Sequence, residues 1–233
     1  MMGELLDEIG MQLALTLVSV TSCGVLVLAE YRGHARLRVI AKLVASLAFV
    51  LLGLDALAID RSPSAEFAVA ILAGLVLGAV GDAALLGHGK RWFLAGLVAF
   101  LCGHVAYVVA VSFVRPPSAW LADAGPVAAL PVLVGGAALV HLWPRLGSMK
   151  IPVILYVITI ATMVIAAIAV ARGTAITEPH RYLFLAGAVL FFVSDLAVAR
   201  DRFVARTFAN KAWGLPAYYA GQLLIAWSLV GLG

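Results

Sequence analysis

Residues 151–171 read IPVILYVITIATMVIAAIAVA, a run of 21 residues without a charged side chain. A helix needs roughly 20 mostly apolar residues to cross a hydrocarbon core about 30 Å thick, so this run predicts a membrane-spanning helix. The whole chain shares this character, because 64% of its 233 residues are hydrophobic and only 12% are charged. Soluble domains contain about 45–50% apolar residues. The composition therefore excludes an ordinary soluble domain and indicates an integral membrane protein.

Glycine, proline and charged residues separate this run from other apolar stretches on both sides of it. We predict an all-α, polytopic membrane protein with about eight transmembrane helices in a bundle, forming one integral-membrane domain over residues 1–233. The fifth span is expected to be the least regular, because glycine and proline recur within it. The predicted spans are 11–29, 38–59, 66–87, 92–114, 124–143, 151–171, 181–199 and 212–232.

Lysine and arginine are distributed unevenly between the two sides of the predicted bundle. Of the 16 Lys and Arg residues, eleven lie in the loops that follow the first, third, fifth and seventh spans, and four lie on the opposite side. Cytoplasmic loops carry an excess of these residues, so we expect both termini on the non-cytoplasmic side. The net charge of +4 reflects this bias next to anionic lipid and does not indicate a nucleic-acid partner.

Four ionisable side chains interrupt the apolar spans: Lys42, Asp82, His104 and Asp195. Such groups are costly inside a membrane, and they usually face the interior of a bundle or a wet cavity. No set of residues has the spacing of metal ligands, so we expect neither a metal nor a cofactor. The spans around them add six polar side chains: Tyr107, Tyr156, Ser194, Tyr218, Tyr219 and Gln222.

The position of each polar residue along its span predicts its depth in the membrane. With a helix rise of about 1.5 Å per residue, five of them should lie within roughly 12 Å of the cytoplasmic boundary. His104, Tyr107 and Gln222 should lie nearer the midplane. The polar groups therefore converge in one half of the bundle. The five shallow residues are Lys42, Asp82, Tyr156, Asp195 and Tyr218.

Two carboxyls that face one cavity have a chemical use. Low dielectric and mutual repulsion keep one of them protonated as a general acid while the other stays ionised. Such a pair can protonate a substrate, stabilise a nearby cation and activate water. A structural interpretation is also open: Lys42 and Asp82 could form an interhelical ion pair, and His104 could be a core histidine bonded to a carbonyl.

Taken in order along the chain, these residues carry a resemblance to a known family. They are Gly81 and Asp82 at the end of one span; Gly96, Phe100, His104 and Tyr107 on the next; Gly187, Phe191, Ser194 and Asp195; and Tyr218, Tyr219 and Gln222 on the last. The pattern resembles the YhhN-type lysoplasmalogenases from about Lys42 to the last span, including an eight-helix plan.

The resemblance implies a hydrolase that cleaves the vinyl ether bond of a lysoplasmalogen, a lysophospholipid of the bilayer. The products would be a fatty aldehyde and glycerophosphoethanolamine or glycerophosphocholine. It implies catalytic roles for Asp82 and Asp195, without deciding which is the acid, and substrate-binding roles for the other eight polar residues named above. The phosphate would face the cytoplasmic loops, where Lys42, Lys90 or Arg91 could meet it.

Two other functions fit acids embedded in a membrane. A proton-coupled transporter could use buried Asp, His and Tyr as a relay, although transporters favour polar groups on both sides of the midplane. An intramembrane aspartyl protease also uses two aspartates on helices. Against it, the motif of that family expects a glycine two residues before its Gly-Asp pair, and Gly81-Asp82 follows Val80 without one. Leu215-Pro216-Ala217 also differs in order from the Pro-Ala-Leu of that family. Neither the oligomeric state nor the head group of a lipid substrate follows from the sequence.

Overall fold

The computed structural model describes residues 2–58 and 64–230. Within these ranges the chain forms nine α-helices, three short 3₁₀ helices and no β-strand, which confirms the all-α prediction. The α-helices are α1 Met2–Arg32, α2 Ala35–Ala58, α3 Ala65–Leu85, α4 Lys90–Val114, α5 Pro117–Ala124, α6 Ala129–Leu142, α7 Lys150–Arg172, α8 His180–Phe203 and α9 Phe208–Trp227.

Seven segments of the described chain are long and apolar enough to cross a membrane. They correspond to the first seven predicted spans, so the prediction of a multi-pass membrane protein is confirmed. The eighth predicted span is α9, whose 20 residues include buried polar side chains that lower its hydropathy. The predicted span ends at residues 59 and 232 lie outside the described residues. The seven segments are Ile9–Arg32, Ala35–Ala58, Ala65–Leu85, Lys90–Val114, Pro117–Arg145, Gly147–Arg172 and His180–Phe203.

The fifth span differs most from its predicted bounds of 124–143. Helix α5 begins earlier, at Pro117, and a 3₁₀ helix over Gly125–Ala128 joins it to α6. Gly125 has φ of +57°, a conformation that glycine adopts without the steric cost of a Cβ atom. Pro126 lacks the N–H that would continue the α-helical hydrogen bonds. The span is therefore a broken helix in place of the single one that the pattern predicted.

Helices that are neighbours in sequence pack closely in space, with α1 on α2, α3 on α4 and α8 on α9. Helix α9 also lies against α1 and α2, so the last helix closes the bundle onto the first. Small residues allow this approach: a Cβ atom on Gly187 of α8 would lie 2.8 Å from the carbonyl oxygen of Gly221 on α9. Such small-residue contacts are typical of membrane helix pairs.

Helix α6 occupies the outside of the bundle and packs chiefly on α7. Its side chains Leu130, Leu133 and Val140 are 59%, 66% and 75% exposed, so this face of α6 is suited to contact with lipid. Helix α7 in turn contacts α4, α5 and α8. The face of α6 that turns inward therefore covers a space bounded by α4, α7 and α8.

The helix ends that carry most of the basic residues come together at one end of the bundle. Lys211 Nζ lies 2.6 Å from Glu30 Oε2, which ties the start of α9 to the end of α1. The Arg202 guanidinium lies 4.3 Å from the centre of the Phe93 ring, which connects α8 to α4. We call this end, with the loops that join α1 to α2, α3 to α4 and α8 to α9, the basic end. It corresponds to the side predicted to face the cytoplasm.

Candidate functional site

A cavity of about 330 Å³ extends into the bundle from the basic end. Residues of six helices line it, namely α1, α2, α3, α4, α8 and α9, so it exists only when these helices pack together. We call it the polar cavity. Both predicted catalytic acids line this cavity, together with three of the predicted substrate-binding residues. These five residues are Lys42, Asp82, Ser194, Asp195 and Tyr218.

Asp82 lies at the end of α3 in a dense set of polar contacts. Its Oδ1 atom is 2.8 Å from Lys42 Nζ, and the two side chains are 2% and 11% exposed. Its Oδ2 atom accepts a hydrogen bond of 2.5 Å from Ser46 Oγ and one of 3.3 Å from the Tyr219 hydroxyl. Hydrogen bonds and a cation both stabilise a carboxylate. This environment therefore suits an ionised Asp82.

Asp195 lies on α8 in a different environment. Its Oδ2 atom is 3.5 Å from His104 Nε2, and neither atom has a hydrogen-bond partner among the described residues. The His104 side chain is fully buried, and its ring packs 4.4 Å from that of Phe191 and 5.2 Å from that of Tyr156. No Lys or Arg of the described chain forms an ion pair with Asp195. The two acids therefore differ in their partners although they line one cavity.

The remaining predicted residues near the midplane form a buried network behind the polar cavity. The Tyr107 hydroxyl donates to Gln222 Oε1 at 2.7 Å, and Gln222 Nε2 donates to the Tyr218 hydroxyl at 3.3 Å. Tyr107 and Gln222 are fully buried and do not line the cavity. A Cβ atom on Gly78 would lie 2.1 Å from Gln222 Nε2, so glycine at this position leaves room for the amide. This network holds the position of Tyr218, which does reach the cavity.

The mouth of the polar cavity is rich in cations that the sequence pattern marks only as orientation signals. Arg38 Nε is buried and has no hydrogen-bond partner in the described part of the chain. Lys90 does not line the cavity but donates to Ser148 Oγ at 2.9 Å, and Arg91 does not line it either. The cations that do line the mouth are Arg38, Arg202, Arg206 and Lys211. The regular spacing of the spans could not reveal them, because their positions depend on how the loops fold over the bundle.

A second, smaller cavity of about 70 Å³ adjoins one side of the polar cavity. It lies between α4, α6, α7 and α8, and we call it the apolar cleft. Its only polar lining residues in the described chain are Tyr156 and Asp195. Five residues line both spaces: Leu85, Phe93, Phe100, Asp195 and Val198.

Ser194 makes a local contact rather than a bond to either acid. Its Oγ atom donates to the Phe191 carbonyl at 2.7 Å, within the same helix. Among the described residues there is no group of three or more His, Cys, Asp or Glu side chains placed to hold a metal ion. The side chains in and around the polar cavity provide two carboxyls, an imidazole, a lysine and tyrosine hydroxyls.

Comparisons with known proteins identify relatives of this chain. The protein named Lysoplasmalogenase TMEM86A from Bos taurus is 34% identical over 167 residues, which cover 70% of this chain and 66% of that protein. The protein named Lysoplasmalogenase from Mycobacterium bovis is 32% identical over 204 residues, which cover 84% of this chain and 71% of that protein. No solved structure matches the chain. The YhhN family model matches residues 37–229, from α2 to beyond the end of α9, and the chain therefore belongs to the YhhN family.

Proposed function

We propose that this protein is a membrane hydrolase that cleaves the vinyl ether bond of a lysoplasmalogen. Relatives from cattle and mycobacteria carry the name lysoplasmalogenase, which supports this reaction. The single observation that carries the proposal is that two carboxyls with different partners, Asp82 and Asp195, line one cavity. The products would be a fatty aldehyde and glycerophosphoethanolamine or glycerophosphocholine.

The different surroundings of the two acids favour different roles. Asp82 has a lysine and two hydroxyl donors, so we assign to it the ionised form. Asp195 is largely buried and has no lysine or arginine partner in the described chain, and an unpaired charge is costly in such a place. We therefore assign the protonated form, and the role of general acid, to Asp195. His104 would be a positioning residue that orients the Asp195 carboxyl.

Hydrolysis begins with transfer of the Asp195 proton to the vinyl carbon that is remote from the ether oxygen. The carbon bonded to oxygen then becomes an oxocarbenium ion, and the Asp82 carboxylate stabilises its positive charge. Water adds to this carbon and gives a proton back to the Asp195 carboxylate. The resulting hemiacetal collapses when its C–O bond to glycerol breaks, with proton transfer from the hemiacetal hydroxyl to the leaving oxygen. One water is consumed and both carboxyls return to their initial state.

The cations at the mouth of the polar cavity suit the phosphate of a lysophospholipid. Arginine binds phosphate through planar, paired N–H donors. Arg38 is the best candidate, because its buried Nε atom has no other partner in the described chain. Lys211 is less available, since it is paired with Glu30. The phosphate would then lie near the membrane surface, with the vinyl ether deeper, beside Asp195.

The proposal is tested by incubation of purified protein with a lysoplasmalogen and measurement of the aldehyde released. A 1-alkyl lysophospholipid is the matched control substrate, because it has the same head group and chain but no double bond to protonate. We expect aldehyde from the alkenyl lipid and none from the alkyl lipid. A transporter or a protease would release aldehyde from neither. Absence of aldehyde from purified, folded protein would therefore contradict the proposed activity.

A further inference from the structure

The apolar cleft meets the polar cavity at Asp195, the carboxyl assigned as the general acid. One side of Asp195 is the polar cavity with its basic mouth, and the other side is lined almost entirely by apolar side chains. The site thus changes from polar to apolar at the reacting group. This change is the feature that suggests how a lipid would lie in it.

A lysoplasmalogen changes from polar to apolar at one position as well. Its vinyl ether joins the glycerophosphate head to the hydrocarbon chain, so the two reacting carbons are the first two carbons of the chain. If the head lies in the polar cavity and the vinyl ether beside Asp195, the rest of the chain must leave in another direction. The apolar cleft is the space that continues from Asp195 with matching chemistry.

The size of the cleft limits how much of the chain it can hold. At about 30 Å³ for each water-sized group, a volume of about 70 Å³ has room for roughly two such groups. It therefore accommodates about the first two methylenes that follow the vinyl ether, and a longer chain would continue past α6 toward the lipid. Helix α6 contributes Gly135, Ala138 and Leu142 to the lining, and α7 contributes Val153 and Val157.

We propose that the apolar cleft between α4, α6, α7 and α8 binds the start of the substrate's hydrocarbon chain and determines which chains are hydrolysed. This inference rests on the proposed function, since it assigns a second part of the same substrate. Ala138 is the residue best placed to test it. Its side chain lines the cleft, whereas that of its neighbour Ala137 is exposed on the outer face of α6.

The test compares hydrolysis of a hexadecenyl and an ethenyl lysophospholipid by the wild type and by two variants. Ala138→Phe fills the cleft, so we expect kcat/KM for the hexadecenyl lipid to fall at least tenfold. The value for the ethenyl lipid, which has no carbon beyond the double bond to enter the cleft, should change less than threefold. One methylene in a hydrophobic pocket already changes such ratios by roughly 10–200-fold. Ala137→Phe adds the same ring outside the cleft and should change neither value. An equal loss with both lipids in Ala138→Phe would overturn the proposal.

A second variant tests the cleft if Ala138→Phe does not fold. Leu97 on α4 lines the cleft, and Leu97→Ala enlarges it, whereas Leu94 on the same helix is exposed outside it. Leu97→Ala should improve hydrolysis of a chain that carries a methyl branch near the vinyl ether, relative to the straight chain, by at least threefold. Leu94→Ala should leave the ratio unchanged. An unchanged ratio in Leu97→Ala would overturn the proposal.

Binding without cleavage separates failure of this inference from failure of the proposed activity. A 1-alkyl lysophospholipid with a diazirine on its fourth chain carbon cannot be hydrolysed, yet on illumination it should label residues of α6 or α7 that line the cleft. Labelling confined to the exposed outer faces of the bundle would overturn the chain site. Labelling of the cleft without any aldehyde from the alkenyl lipid would support the site and contradict the activity.

Discussion

Replacement of Asp82 by asparagine removes the negative partner of a lysine that lies inside the bundle. In the native site Lys42 Nζ is 2.8 Å from Asp82 Oδ1, and the lysine side chain is only 11% exposed. The asparagine amide keeps one oxygen for Ser46 but leaves the ammonium without a counter-charge. Removal of one partner of a buried ion pair costs about 3–5 kcal/mol. We therefore expect Asp82→Asn to lower the free energy of unfolding by about this amount, in addition to its effect on catalysis.

The double variant Lys42→Met/Asp82→Asn separates the two effects. It removes the buried charge together with its partner, so most of the lost stability should return, while catalysis should not. Replacement of a buried pair by apolar side chains is often neutral or stabilising, which gives the direction of this recovery. Thermal unfolding of the purified proteins and aldehyde release per folded molecule measure the two properties. If Asp82→Asn were as stable as the wild type, or the double variant no more stable than the single one, the assigned ion pair would be refuted.

Four further predictions concern other parts of the molecule. Asp195→Asn should fold with near-native stability, because Asp195 has no Lys or Arg partner in the described chain that would be left unpaired, yet its kcat should fall about 10²–10⁴-fold. Asp55→Asn, at the far end of the bundle, is the matched control in the aldehyde assay. Arg38→Gln should raise KM for lysoplasmalogen more than it lowers kcat, and steady-state kinetics with equal effects on both would contradict a phosphate site. Gly187→Leu should separate α8 from α9 and lower the melting temperature, because its Cβ atom would lie 2.8 Å from a backbone oxygen of the facing helix. A cysteine introduced in the loop 204–207 should react with an impermeant thiol reagent only from the cytoplasmic side, and labelling from outside would reverse the proposed orientation.

Much of the architecture follows from local properties of the chain. The length of an apolar run predicts whether a segment spans the membrane, and the free-energy cost of a charge in hydrocarbon predicts that a charged side chain in it faces the bundle interior. Both predictions use one span and need no knowledge of its neighbours. The multi-pass all-α fold and the presence of the first seven spans were therefore predictable. The burial of Lys42, Asp82, His104 and Gln222 was predictable for the same reason.

Within the fifth span only the irregularity was predictable. Repeated glycine and proline indicated a weak helix, but they did not specify where it would break. The early start at Pro117 and the positive φ of Gly125 depend on how the segment packs against α7. The actual bounds therefore required the neighbouring helix.

The partners of each polar group were decided only by the tertiary structure. Ser46 had no pattern to mark it, yet it donates to Asp82 across 36 positions of sequence, and Arg38 reaches the cavity mouth although its span suggested only an orientation signal. Such contacts depend on how each helix is rotated about its axis and how closely small residues such as Gly187 let the helices approach. The sequence alone determined that several polar groups would be buried in a bundle of apolar helices. Helix packing alone decided that Asp82 would be paired with a lysine and that Asp195 would stand between a polar cavity and an apolar cleft, because rotation and distance between helices are properties of the assembled bundle.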